Sequence, residues 1–172
     1  MSISRPPTTP MRKALFRAPI WIYRLGLGPV MGRRFVLLTH KGRKSGEARQ
    51  AVLEVVGSNE ATGTVLVASG FGRRSQWYRN ILAEPRVMFQ VGAHRHRGRA
   101  TPLPPEEAGQ ALAHYAQRHP AAARTLLGGL GFEVDGSPES FARVGSDPDG
   151  IPIVRLAPTD PPRSDFPDLS DR

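Results

Sequence analysis

Cysteine is absent from the 172 residues, which excludes disulfides, thiolate catalysis and cysteine-ligated metals and suits a reducing compartment. Long apolar runs are missing too. The most apolar early stretch, residues 11–30, is broken up by Arg12, Lys13, Arg17 and Arg24, leaving it too short and too charged to span a bilayer or to serve as a signal peptide. Aromatic residues make up only 7% of the chain and no nucleic-acid reader motif appears, so a basic nucleic-acid-binding module is a weak explanation of the charge. Hydrolytic and metal signatures are also wanting: there is no G-x-S-x-G, no H-E-x-x-H and no pair of carboxylates placed for acid–base work. His94 and His96 share one face of a predicted strand, but the alternating Arg95, Arg97 and Arg99 would repel a cation. These histidines therefore read as solvated or phosphate-facing, and no metal site is expected.

Acidic residues are the remaining shortage. Against 24 Lys+Arg stand 15 Asp+Glu, a formal net charge of +9 with a pI near 11.1. Such a surface favours polyanions, anionic membranes or anionic small molecules without choosing among them. The length suits a single domain with a core of its own, expected over residues 11–157 between a disordered lead-in (1–10) and a proline-rich tail (158–172). Residues 11–30 read as a basic amphipathic helix interrupted near Pro19. Such a helix usually caps the domain's own core, and a membrane-surface role is the alternative.

What the chain does have is organised around Leu37 to Val56, LLTHKGRKSGEARQAVLEVV. Phe35 to Thr39 are apolar β-formers and predict a buried strand, and Ala51 to Gly57 predict its return partner. Between them Gly42 and Gly46 bracket Arg43, Lys44 and Ser45, so a tight turn can expose amide N–H groups beside two cations and a hydroxyl. Arg49 follows where it can point back over the loop as a planar donor for phosphate or carboxylate. That is anion-binding chemistry, although a glycine-flanked basic hairpin is as often a solvated turn. A Walker A loop is excluded, because Arg43 occupies the place of its second glycine.

The rest of the chain repeats the theme. Thr64 to Ser69 predict another strand ending in a second basic glycine loop, Gly70 to Arg74, after which Ser75 can cap a helix carrying Trp77, Tyr78, Ile81 and Leu82. Strands are expected over residues 86–91 and 94–101, helices from Pro104–Pro105 to His119, over 121–130 and over 137–144, and a final strand over 151–156 that Pro152 places at an edge or where no N–H is needed. A β-rich domain with two basic loops and an aromatic helix suits a cofactor that brings its own chemistry. Trp77, Tyr78, Ala51 and Val52 are candidates for the wall of a flat ring, with plain helix core as the safer reading for at least one of the two aromatics.

Three stretches, LLTHKGRKSGEARQAVLEV, VLVASGFGRRSQWYRNILAEPRVMFQVG and IPIVRLAP, resemble the deazaflavin-dependent nitroreductase and quinone reductase family. The resemblance implies an α+β fold: a split β-barrel like that of flavin mononucleotide-binding proteins, with an N-terminal amphipathic helix and helices covering the barrel. It implies coenzyme F420, an 8-hydroxy-5-deazaflavin, ahead of flavin mononucleotide, and hydride transfer from its reduced form to a quinone, nitro or enone acceptor. Carried over by position, Arg43, Lys44, Ser45 and Arg49 match the loop that contacts the cofactor's tail and phosphate. Ala51, Val52 and Leu53 match the strand along the ring, Ala68 and Ser69 the next strand end, and Trp77 and Tyr78 the pair in W-Y-x-N. No catalytic side chain is required; Tyr78, Tyr115, Ser69 or water could donate a proton. Gly70 stands where many relatives have lysine, and the segment before the last strand lacks the usual tyrosines. The resemblance therefore does not specify the acceptor. The implied setting is cytoplasmic, with peripheral membrane contact through the N-terminal helix and a homodimer both left open. The alternatives are a non-catalytic flavin-, haem- or lipid-binding barrel and the basic nucleic-acid module.

Overall fold

The computed structural model describes residues 32–69 and 71–159. The lead-in, the helix expected over 11–30, Gly70 and the tail from residue 160 lie outside them. Six strands, β1 (Phe35–Lys41), β2 (Ala48–Asn59), β3 (Thr64–Ala68), β4 (Arg86–Val91), β5 (His94–Pro102) and β6 (Ile153–Pro158), form a closed antiparallel barrel in the order β1-β2-β3-β6-β5-β4. The α+β split-barrel expectation is met. Helices α1 (Gln76–Ala83), α2 (Pro105–Arg118), α3 (Pro120–Gly129) and α4 (Pro138–Ser146) complete the described fold, with a short 3-10 turn at Gly72–Arg74.

Strand alternation separates two cores. Val36, Leu38, Leu53, Val65, Val67, Phe89 and Leu156 fill the barrel interior, where α1 adds Trp77, Tyr78 and Ile81. Outside, Val56, Ala68 and Ile153 pack beneath α2, α3 and α4 against Leu112, Tyr115, Leu127 and Phe141. Each such large apolar side chain stabilises the fold by about 1.5–3 kcal/mol when fully buried. A register shift between Val55 and Gly57 marks a bulge in β2, with Val55 packed on the barrel core and Val56 in the outer one.

The last strand meets the second of the two expectations for Pro152 and not the first, and it runs over Ile153–Pro158, later than the expected 151–156. β6 is no edge: it runs between β3 and β5, and Ala157 and Pro158, expected to lie at or beyond the strand's end, pair with Arg99 and Gly98. Pro152 is tolerated because it sits just ahead of the strand, where its carbonyl accepts from the Ser69 N–H at 3.0 Å and no donor is needed from it. The β4–β5 register also places His94 and His96 opposite Val91 and Phe89, the His96 ring lying 5.2 Å from that of Phe89. Arg95, Arg97 and Arg99 thus share the other face of β5, with Met88 opposite Arg97. No helix among the described residues is long and apolar enough to cross a membrane.

Candidate functional site

The loop between β1 and β2 is tight because Gly42 N–H donates to the Glu47 carbonyl and Gly46 N–H to the Gly42 carbonyl, both at 2.8 Å. Gly46 has φ +72, a conformation that a side chain would strain. Glu47 N–H donates to Ser45 Oγ at 3.3 Å, and Arg43 N–H to Asn80 Oδ1 at 3.1 Å. Among the described residues this leaves the N–H groups of Lys44 and Ser45, together with the exposed Lys44 ammonium, without a partner.

Helix α1 is where the two basic loops meet. From the first loop, the Arg43 guanidinium Nη1 donates to Gln76 Oε1 and Asn80 Oδ1, both at 2.9 Å. From the second, Ser69 Oγ lies 2.8 Å from Ser75 Oγ, immediately before the helix. Ser75 holds the N-cap position as expected, but no hydrogen bond from its side chain caps the helix. Arg73 is anchored as well, Nε donating to the Pro148 carbonyl at 2.7 Å and Nη1 to the Tyr78 hydroxyl at 3.4 Å. The Arg74 side chain is exposed and, among the described residues, forms no hydrogen bond or ion pair.

The residues singled out in the sequence therefore have different surroundings. Lys44 and Ser45 lie on the open loop, whereas Arg43 is half-buried and engaged with α1. Arg49 pairs with Glu47, Nη2 to Oε2 at 2.8 Å, so part of its donor capacity is taken within the hairpin. Ala51 and Leu53 pack with the barrel interior, and Val52 lies on the opposite face, paired with Leu37. Ala68 belongs to the outer core. Ser69 is wholly buried, its hydroxyl spent on the Gly72 carbonyl and Ser75. Trp77 and Tyr78 are core residues at 8% and 2% exposure, in edge-to-face contact with ring centroids 6.0 Å apart.

A family model described as F420H(2)-dependent quinone reductase matches residues 15–125, which include β1 to β5, both loops and α1. The chain belongs to that family. Rv3178 of Mycobacterium tuberculosis (strain ATCC 25618 / H37Rv), which carries the name of an F420H(2)-dependent quinone reductase, is 35% identical over 79 residues. The match covers 45% of this chain and 65% of that protein, just under two thirds of its length. Among solved structures, Atu2129 of Agrobacterium tumefaciens str. C58, a protein of unknown function, aligns at TM-score 0.52 and 20% identity over 91% of this chain and 60% of its own, a likeness of fold. An F420-H2 dependent reductase, FDR-A, aligns at TM-score 0.49 and 24% identity over 73% of this chain and 95% of its own.

For this quinone reductase family member, two of the candidate proton donors are committed elsewhere. Ser69 is spent as described, and Tyr115 lies in the outer core with its hydroxyl donating to Glu54 Oε1 at 2.6 Å. Burial, then the bond to Glu54, raises the Tyr115 pKa well above the usual phenol range. Tyr78 and water remain. Sequence reasoning passed over His40, Asn80 and Gln76 as site residues. Two had a signal: His40 continues the inward alternation of Val36 and Leu38, and Asn80 follows Trp77 by three residues on the buried face of α1.

Proposed function

We propose that the protein transfers hydride from reduced coenzyme F420 to a small organic acceptor of the quinone, nitro or enone type. Family membership supports this reading, and the observation that carries it is the convergence of both basic loops on α1 with Lys44, Arg74 and two loop amides unspent. The fit to an anionic tail lies in donor chemistry: cations and N–H groups line the open side, while Glu47 is taken by Arg49. When bound, reduced F420 supplies the hydride, and a proton completes the two-electron reduction of the acceptor.

The chain's own part is positioning. Lys44, Arg74 and the N–H groups of Lys44 and Ser45 would hold the tail, and Arg43 keeps the loop seated on α1. Tyr78, in contact with Arg73, is the side chain left to deliver a proton if water does not. Because side chains fill the barrel interior, the ring has to lie at the barrel's surface, an arrangement that disfavours a carrier enclosing its ligand. Equilibrium titration with F420, flavin mononucleotide and NADPH, followed by turnover of a soluble quinone, tests the reading. F420 should bind most tightly and its reduced form should be consumed with the quinone. Tight flavin mononucleotide binding without F420 binding overturns the assignment, and F420 binding without turnover reduces the protein to a carrier.

A further inference from the structure

One carboxamide of α1 holds both the first basic loop and the strand that leads into it. Asn80 Oδ1 accepts twice from Arg43, from the backbone N–H at 3.1 Å and from Nη1 at 2.9 Å, and Asn80 Nδ2 lies 3.2 Å from His40 Nδ1. These contacts determine each other. Both Arg43 groups are donors only, so the atom facing them must be the carboxamide oxygen. The amide nitrogen then faces His40, whose Nδ1 must carry a lone pair to receive it. Both side chains are 5% exposed, so no bulk water is at hand to replace a lost partner.

We infer that Asn80 is a positioning residue: it clamps Arg43 by backbone and side chain, His40 locks its orientation, and the clamp presents Lys44 and Ser45 to the anionic ligand. The inference rests on the loop being the tail site, as proposed above. Without the clamp, the N–H of Arg43 and its guanidinium lose their shared acceptor, and the loop, whose remaining bonds are internal or reach Gln76, no longer has a fixed orientation on α1. The ligand would then meet an ensemble of loop positions, and affinity falls by the fraction that is competent. The step of hydride transfer makes no use of Asn80.

The test compares wild type with Asn80→Ala and Asn80→Asp. In the apoprotein, amide hydrogen exchange at Arg43 should speed up at least tenfold in Asn80→Ala, while ladder amides of β1 and β2 keep their protection. F420 affinity should fall about tenfold with kcat at saturating cofactor held within about twofold. Asn80→Asp keeps the acceptor and the size, so it should restore both the Arg43 protection and most of the affinity. It should also draw a proton onto His40, read as a raised imidazole titration by NMR. Unchanged Arg43 exchange in Asn80→Ala, or lost protection with unchanged affinity, overturns the inference. If exchange depends on Asn80 but wild type binds no F420, the clamp stands and the cofactor reading falls. If Asn80→Ala loses protection throughout the barrel, the Asp variant decides: failure to restore Arg43 protection in a folded protein rejects the clamp.

Discussion

At the scale of single residues, the loops carry cations of two kinds, those left open and those engaged within the protein. Lys44 is exposed and unpartnered among the described residues, whereas Arg43, Arg49 and Arg73 each hold a hydrogen bond or ion pair within the protein. A charge-assisted hydrogen bond from Lys44 to the tail is worth about 1.5–3 kcal/mol, so Lys44→Ala should weaken F420 binding about 10- to 100-fold. The contact is nearly the same in ground and transition states, so kcat at saturation should hold, as should the apoprotein Tm. Unchanged affinity would return the loop to a solvated turn. His40 makes the opposite kind of contribution. Burial lowers its pKa to about 4, the Lys41 backbone hydrogen bond opposing the shift and the Arg49 charge adding to it. An unfolded chain takes up that proton near pH 6.5, so it binds more protons than the folded one between pH 6.5 and 4. Stability from neutral His40 is complete above the unfolded value, and on the order of 3 kcal/mol is lost by the time pH has fallen through the folded one. Urea midpoints of wild type and His40→Gln at pH 7 and 4.5 should show the wild type losing more; parallel losses would mean that His40 titrates as an exposed residue.

At the scale of elements, close backbone approach sets the helical layer. A Cβ built on Gly145 of α4 would stand 2.7 Å from the Ala108 carbonyl oxygen and 2.8 Å from Gly109 Cα, so α2 and α4 meet backbone to backbone. Gly145→Ala must push the helices apart and should cost about 1–3 kcal/mol. Gly128 of α3 has nothing within 4 Å of such a Cβ, so Gly128→Ala should be neutral or stabilise by up to about 1 kcal/mol. Thermal melts of the two variants check this, and equal Tm values would contradict the packing. Elements were the most legible level of the sequence. Arg86–Val91 was readable to the residue because Val87, Phe89 and Val91 alternate between turn signals, and Leu112, Tyr115 and Ala116 marked the buried face of α2 by their helical spacing. The Ser75 cap was half legible: position follows from local preference, whereas its hydroxyl faces Ser69 because the chain between the two serines folds back on itself.

At the scale of the whole molecule, closure of the barrel removes every strand edge among the described residues, and apolar side chains fill its interior. The excess of positive charge acts at the surface, on Lys44 and Arg74 in the loops and on the outward arginines of β5. By itself the sequence determined the strands and helices, the two glycine-bracketed basic loops and, through three motifs, the family, because periodicity, turn chemistry and motif spacing are carried by neighbouring residues. Only the tertiary structure decided that β6 enters between β3 and β5, that Trp77 and Tyr78 belong to the core, and that Arg43 is bound to Asn80 while Lys44 is left open. Those outcomes depend on which distant groups meet once the barrel closes. A guanidinium on a loop has the same local signature whether its partner is a ligand or a carboxamide 37 positions away.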